Sequence, residues 1–136
     1  MAGSLSDYAE VELLDHITGK TALTMPTISV GLWTATLSDT STGATAGEVS
    51  GGSYARVTTS GATWNAAASG AVDNASAIVF PTATASWGTV THVALLDSAT
   101  LGAGNIIGWA DLTASKTVGS GDTLQFNAGA LDITLA

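Results

Sequence analysis

Phe80-Pro81-Thr82-Ala83-Thr84-Ala85-Ser86-Trp87-Gly88-Thr89-Val90-Thr91-His92-Val93-Ala94-Leu95-Leu96 is the stretch on which the fold turns. From Thr89 to Leu96 it is rich in β-branched and apolar residues, has no helical spacing, and is preceded by a Ser86-Trp87-Gly88 corner, which together predict a strand. Simple alternation places His92 with Val90, Ala94 and Leu96 on one face, and Val93 with Leu95 on the other.

The same grammar extends outward from this run. Strands are expected near Thr27 to Leu37, Tyr54 to Thr59, Ala77 to Phe80, Ile106 to Leu112, Thr123 to Phe126 and Leu131 to Leu135, separated by Gly, Ser, Asn and Asp clusters. The fold class is therefore all-β, an antiparallel, jelly-roll-like β-sandwich. Jelly-roll and immunoglobulin-like strand orders both remain open, because pairing across long connections leaves no local trace. The connections at Asp97 to Asn105, Ser115 to Asp122 and Asn127 to Ala130 read as hairpin turns. Ser38 to Ser53 and Ala66 to Ser76 read as long surface loops.

One segment has a helical period, Asp7 to Thr18, with Val11, Leu14 and Thr18 on one stripe and Leu13 and Ile17 beside it. Asp7 is expected to cap the first turn, with Glu10 three residues on as in a capping box. His16 falls in the last turn and Gly19 suits the left-handed position beyond it. Docking on a partner and packing under the chain's own sheet are both open to such a helix.

Length and composition bound the rest. The chain of 136 residues fits one domain, 1–136. Its 46 % hydrophobic content supports a core, although much of it is alanine. Three basic against eleven acidic residues give a net charge of −8, which excludes the cationic patch that a phosphate backbone or anionic lipid requires. With no cysteine, neither a disulfide framework nor a thiolate metal site is possible. No run approaches the roughly 18 apolar residues that span a bilayer, and Met1 to Glu12 lacks the pattern of a signal peptide. No internal repeat or heptad run of a fibre shaft is present, which points to a globular unit attached to something else.

Chemistry-bearing residues read as structural. Asp15 and His16 are neighbours on a helix and point to different faces, so they form no acid–base pair. His92 reads as a buried or contact histidine, and the two histidines have no metal-ligand spacing. Asp97, Asp111, Asp122 and Asp132 fall at strand ends or turns, where the side chain bonds nearby amides. No nucleophile elbow occurs, and the short glycine clusters lack the helix and lysine of a phosphate loop. Catalytic, cofactor and metal residues are thus read as none. Trp33 and Trp109 are expected in the core. Trp64 and Trp87, at strand edges, are candidate interface residues, as are Tyr54 and Arg56 just after the long loop. Arg56 is expected to pair with a carboxylate, within the chain or across subunits.

Gly51-Gly52-Ser53-Tyr54-Ala55-Arg56-Val57, Trp87-Gly88-Thr89-Val90-Thr91-His92, Gly108-Trp109-Ala110-Asp111-Leu112-Thr113 and Ala128-Gly129-Ala130-Leu131-Asp132-Ile133-Thr134-Leu135 follow one another in an order that resembles small tail-fibre-like, minor structural proteins of tailed bacteriophages. The opening Leu13-Leu14-Asp15-His16 and Gly19-Lys20-Thr21-Ala22 extend the resemblance over nearly the whole chain. It implies a non-enzymatic virion structural protein on the particle exterior, assembled in the host cytoplasm. The implied partners are its own protomers, with a trimer expected, and the major capsid protein or tail proteins. Capsid decoration is the leading expectation, a tail-fibre or tail-tip component the alternative. A carbohydrate-binding module using Trp64 and Trp87 is a third.

Overall fold

The computed structural model describes residues 3–24 and 26–134. In chain order the elements are β1 (Gly3–Leu5), α1 (Asp7–Ile17), β2 (Ser29–Trp33), β3 (Val57–Thr58), a 3₁₀ turn (Gly61–Thr63), β4 (Ala71–Asp73), β5 (Ile78–Val79), β6 (Gly88–Leu96), β7 (Ile106–Val118), β8 (Gln125–Phe126) and β9 (Asp132–Thr134). The architecture is all-β with one N-terminal helix, and every strand pair is antiparallel. Five strands form a sheet ordered β1-β7-β6-β2-β3, while β4 pairs with β9 and β5 with β8 as separate ribbons.

The sequence pattern explains why β6 lies at the centre. It pairs β2 from Leu96 opposite Ser29 to His92 opposite Trp33, and β7 along its other edge. All five residues of β2 are buried, as expected for a strand covered on both faces. On one face Val30, Leu32, Val90 and Val93 meet Ile78, Phe80, Leu124 and Phe126, so the β5–β8 ribbon caps the main core. On the other face Trp33, Leu37, Ala94, Leu96 and Ile106 form a second, smaller core, with Trp109 packed on its edge.

Alternation along β6 is interrupted. Val90 lies opposite Lys116 but His92 lies opposite Asp111, so Thr91 stands against the longer segment Leu112–Ser115 of β7. Such a bulge reverses the side-chain parity of everything beyond it. Val90 therefore joins Val93 in the main core, whereas Ala94 and Leu96 belong to the second. This corrects the expected grouping of Val90 with His92, which assumed an unbroken pleat.

Two strands escaped the sequence reading. β1 is three residues long and pairs Ser4 with Trp109 of β7, and β4 sits inside the stretch read as the Ala66–Ser76 loop. The helix spans nearly the expected range, but its cap differs. Ser6, not Asp7, is the N-cap, accepting the Ala9 N–H at 3.2 Å while its own hydroxyl donates to the Ile106 carbonyl. Asp7 instead lies one position inside, where its charge faces the positive helix end. Beyond the helix, Gly19 takes a φ of +75°, the left-handed position expected of it.

Because Ser6 is buried and serves both helix and β7, Ser6→Ala should cost about 1–2 kcal/mol, the range for a lost cap. Urea unfolding of the variant, followed by circular dichroism, measures this.

Candidate interaction surface

Arg56 is the most heavily bonded side chain of the four that the sequence singled out. Its Nε donates to Glu48 Oε1 at 2.6 Å, and Nη2 donates to Glu48 Oε2 at 2.8 Å and to the Gly43 carbonyl at 3.2 Å. Nη1 donates to the carbonyls of Ser98 and Ala103, both at 2.8 Å. All five guanidinium donors are thereby used. The guanidinium also lies 5.9 Å from the centroid of the Trp33 ring, within cation–π range.

Local sequence makes this clasp possible. Gly43 approaches Ala103 so closely that a Cβ would overlap its carbonyl. Asp97 closes the facing loop by accepting the Asn105 N–H at 2.7 Å and the Asn105 Nδ2 at 2.9 Å. The expected carboxylate partner of Arg56 is therefore Glu48 of the same chain. With 6 % of its surface exposed, Arg56 is an interior tie between two loops.

Tyr54 and Trp87 are likewise interior, at 6 % and 5 % exposure. Their rings meet edge-on at 5.3 Å, and Tyr54 stacks on Phe80 at 6.1 Å. The Trp87 Nε1 donates to the Gly52 carbonyl at 2.9 Å, and the Tyr54 hydroxyl accepts the Leu32 N–H at 2.8 Å. Trp64 is half-buried, donating to Thr59 Oγ1 at 3.1 Å. Trp64 and Trp87 consequently offer no open pair of rings on which a sugar could stack.

Burial, followed by the nearby Glu48 charge, pushes the Tyr54 phenol well above its ordinary value, against the lowering effect of the Leu32 N–H and Arg56. The folded protein then holds this proton at pH values where the unfolded chain, titrating near pH ~10, has lost it. Stability from this group is complete below about pH 10 and falls as pH rises above that value. Tyr54→Phe should flatten the alkaline arm of a stability–pH curve measured by urea unfolding.

Three further polar groups are bonded within the fold. His92 Nε2 lies 2.9 Å from Asp111 Oδ1, and its Nδ1 is 2.8 Å from Thr91 Oγ1. Asp122 accepts the Gly119 N–H at 2.8 Å, closing a turn as expected. Asn74, fully buried, was missed by the sequence reading. Its Nδ2 donates to the carbonyls of Ser76 and Asn127, and its Oδ1 accepts the Leu131 N–H. An Asn following the apolar-flanked Ala71-Val72-Asp73 was the available signal. Among the described residues, no group of three or more His, Cys, Asp or Glu is placed to hold a metal ion. Among the described residues, too, no helix is long and apolar enough to cross a membrane. A groove of about 540 Å³ between Leu112–Val118 and Asp122–Phe126 is lined by threonines and apolar side chains, with Lys116 and Asp122 its charged groups.

What the molecule does present outward is the helix. Val11 is 58 %, Leu14 61 % and Ile17 68 % exposed, and Tyr8, one turn before Val11, is exposed as well. The apolar stripe read from the sequence is thus real, but it faces away from the core.

A protein-family model described as podophage GP4 fiber I protein gp80 matches residues 4–134. The chain belongs to this family. It is a phage structural protein of the fibre type and a component of the virion. Among curated proteins no relative matches. The match begins inside β1 and takes in every later element, from α1 to β9.

Proposed function

We propose that the chain is a non-enzymatic, one-domain unit of a podophage tail fibre that acts through contacts with other virion proteins in the apparatus for host attachment. The family match over residues 4–134 carries this reading, and it favours the fibre over capsid decoration. The interior supports the same conclusion from chemistry: Arg56, Glu48, Tyr54 and Asn74, the residues of most chemical interest, have their polar atoms engaged within the fold. Side chains committed in this way stabilise a scaffold. Contact is then left to the exposed apolar stripe and the polar loops.

Gold-labelled antibody against the purified protein, applied to intact particles of the encoding phage, tests the position. Label confined to the fibres is the expected result. Label distributed over the head would replace the fibre reading with decoration.

A further inference from the structure

The helix α1 is oriented against the usual rule. A helix of 11 residues is marginal in water by itself, and protein helices draw most of their stability from an apolar face laid on the core. In α1 the single buried side chain is Ala9, while Val11, Leu14 and Ile17 project outward at three-residue intervals.

The start of the helix is tied to the rest of the fold. The Ser6 N–H donates to the Ile107 carbonyl at 3.1 Å and the Asp7 N–H to the Asp39 carbonyl at 2.9 Å, mooring the first turn to β7 and to the long loop. At the other end His16 Nδ1 accepts the Leu23 N–H at 3.1 Å, which fixes the chain beyond the helix against it. A ridge with this spacing is what a helix-in-groove partner recognises.

Charge discriminates between occupants of the opposite surface. The ridge is accompanied by Asp7, Glu10, Glu12 and Asp15, with His16 and Lys20 at its far end. Desolvation, then the Glu12 and Asp97 carboxylates, push the Tyr8 phenol above its ordinary value, a sign of the negative field there. A second copy would set a surface of four carboxylates and one lysine against its like, in a chain already carrying a net charge of −8.

Resting on the fibre reading, we propose that the outward face of α1 docks into an apolar groove rimmed by Lys or Arg on a different polypeptide of the virion.

Photo-crosslinking inside assembled particles tests this. With p-benzoylphenylalanine at position 14 or 17, irradiation should join this chain to another virion protein at a peptide with an excess of Lys and Arg. Adducts between two copies of this chain, adducts on acidic or neutral peptides, or particles that contain the chain without any adduct would each overturn the inference while leaving the fibre reading intact. Particles of the unaltered phage that lack the chain would remove the fibre reading, and this inference with it. A second variant reads the charge directly. Glu10→Lys with Asp15→Lys should lower incorporation into particles by about tenfold or more, with the helix signal of the purified variant retained. Incorporation at the unmodified level would show that charge does not select the partner.

Discussion

Trp87→Ala should lower the stability of the isolated protein by about 3–5 kcal/mol, the range for removing a buried indole or phenyl ring. The side chain is 5 % exposed, packs edge-on against Tyr54 at 5.3 Å, and bonds the Gly52 carbonyl at 2.9 Å. Truncation therefore leaves a cavity in the main core, while the Gly52 carbonyl keeps its bond from the Thr84 N–H at 3.0 Å. In thermal unfolding the loss should read as a fall in Tm of about 10–20 °C. Were Trp87 an interface residue instead, the purified protomer would unfold at the same temperature and only assembly would suffer. The two outcomes differ so widely that a single melt separates them.

Arg56→Ala should be of similar size, about 3–5 kcal/mol, through a different mechanism. Removing the guanidinium strands Glu48, whose side chain is 9 % exposed, and releases the carbonyls of Gly43, Ser98 and Ala103. The cost arises chiefly from the buried carboxylate left behind. It follows that Arg56→Met combined with Glu48→Leu should recover much of the loss, because apolar pairs of similar volume commonly replace buried ion pairs at little cost. Urea unfolding of the single and double variants checks this. A double variant no more stable than Arg56→Ala would assign the effect to the carbonyls and not to Glu48.

Much of this architecture was legible in the sequence. Each of the seven expected strands overlaps an observed one, and the helix lies within one residue of its expected end, but β7 runs on to Val118, into the stretch expected to be the turn from Ser115 to Asp122, and Leu135 of the last expected strand lies outside the described residues. Trp33, fully buried, and the Arg56–carboxylate pairing were also readable, since a large aromatic in a strand and a rare cation in an acidic chain have few alternatives. What escaped has physical causes. β1 and β4 are three residues each and owe their existence to partners at the far end of the chain, which no local pattern encodes. The parity of Val90 depends on a bulge whose extra residues lie on β7. Tyr54 and Trp87 sit beside glycines in a turn-rich stretch, where burial is decided by loops folding over them and not by periodicity. The helix stripe was visible, but its direction depends on how Ser6 moors the first turn, a bond made to a residue one hundred positions away.

That last separation bears on how the molecule is made. The strand partner of Gly3–Leu5 is Gly108–Ala110, and the partner of Ala71–Asp73 is Asp132–Thr134. On a ribosome adding roughly 5–20 residues per second, β1 waits on the order of 5–20 s for its neighbour to be synthesised. A nascent chain that has not reached β7 carries β1 without its strand partner and a helix whose first turn lacks its bonds to Ile106 and Ile107. Such intermediates present open strand edges, the form most prone to pairing with the wrong chain. Synthesis of β7 to β9, more than growth of the early part, is therefore the event that commits this fold to its native state.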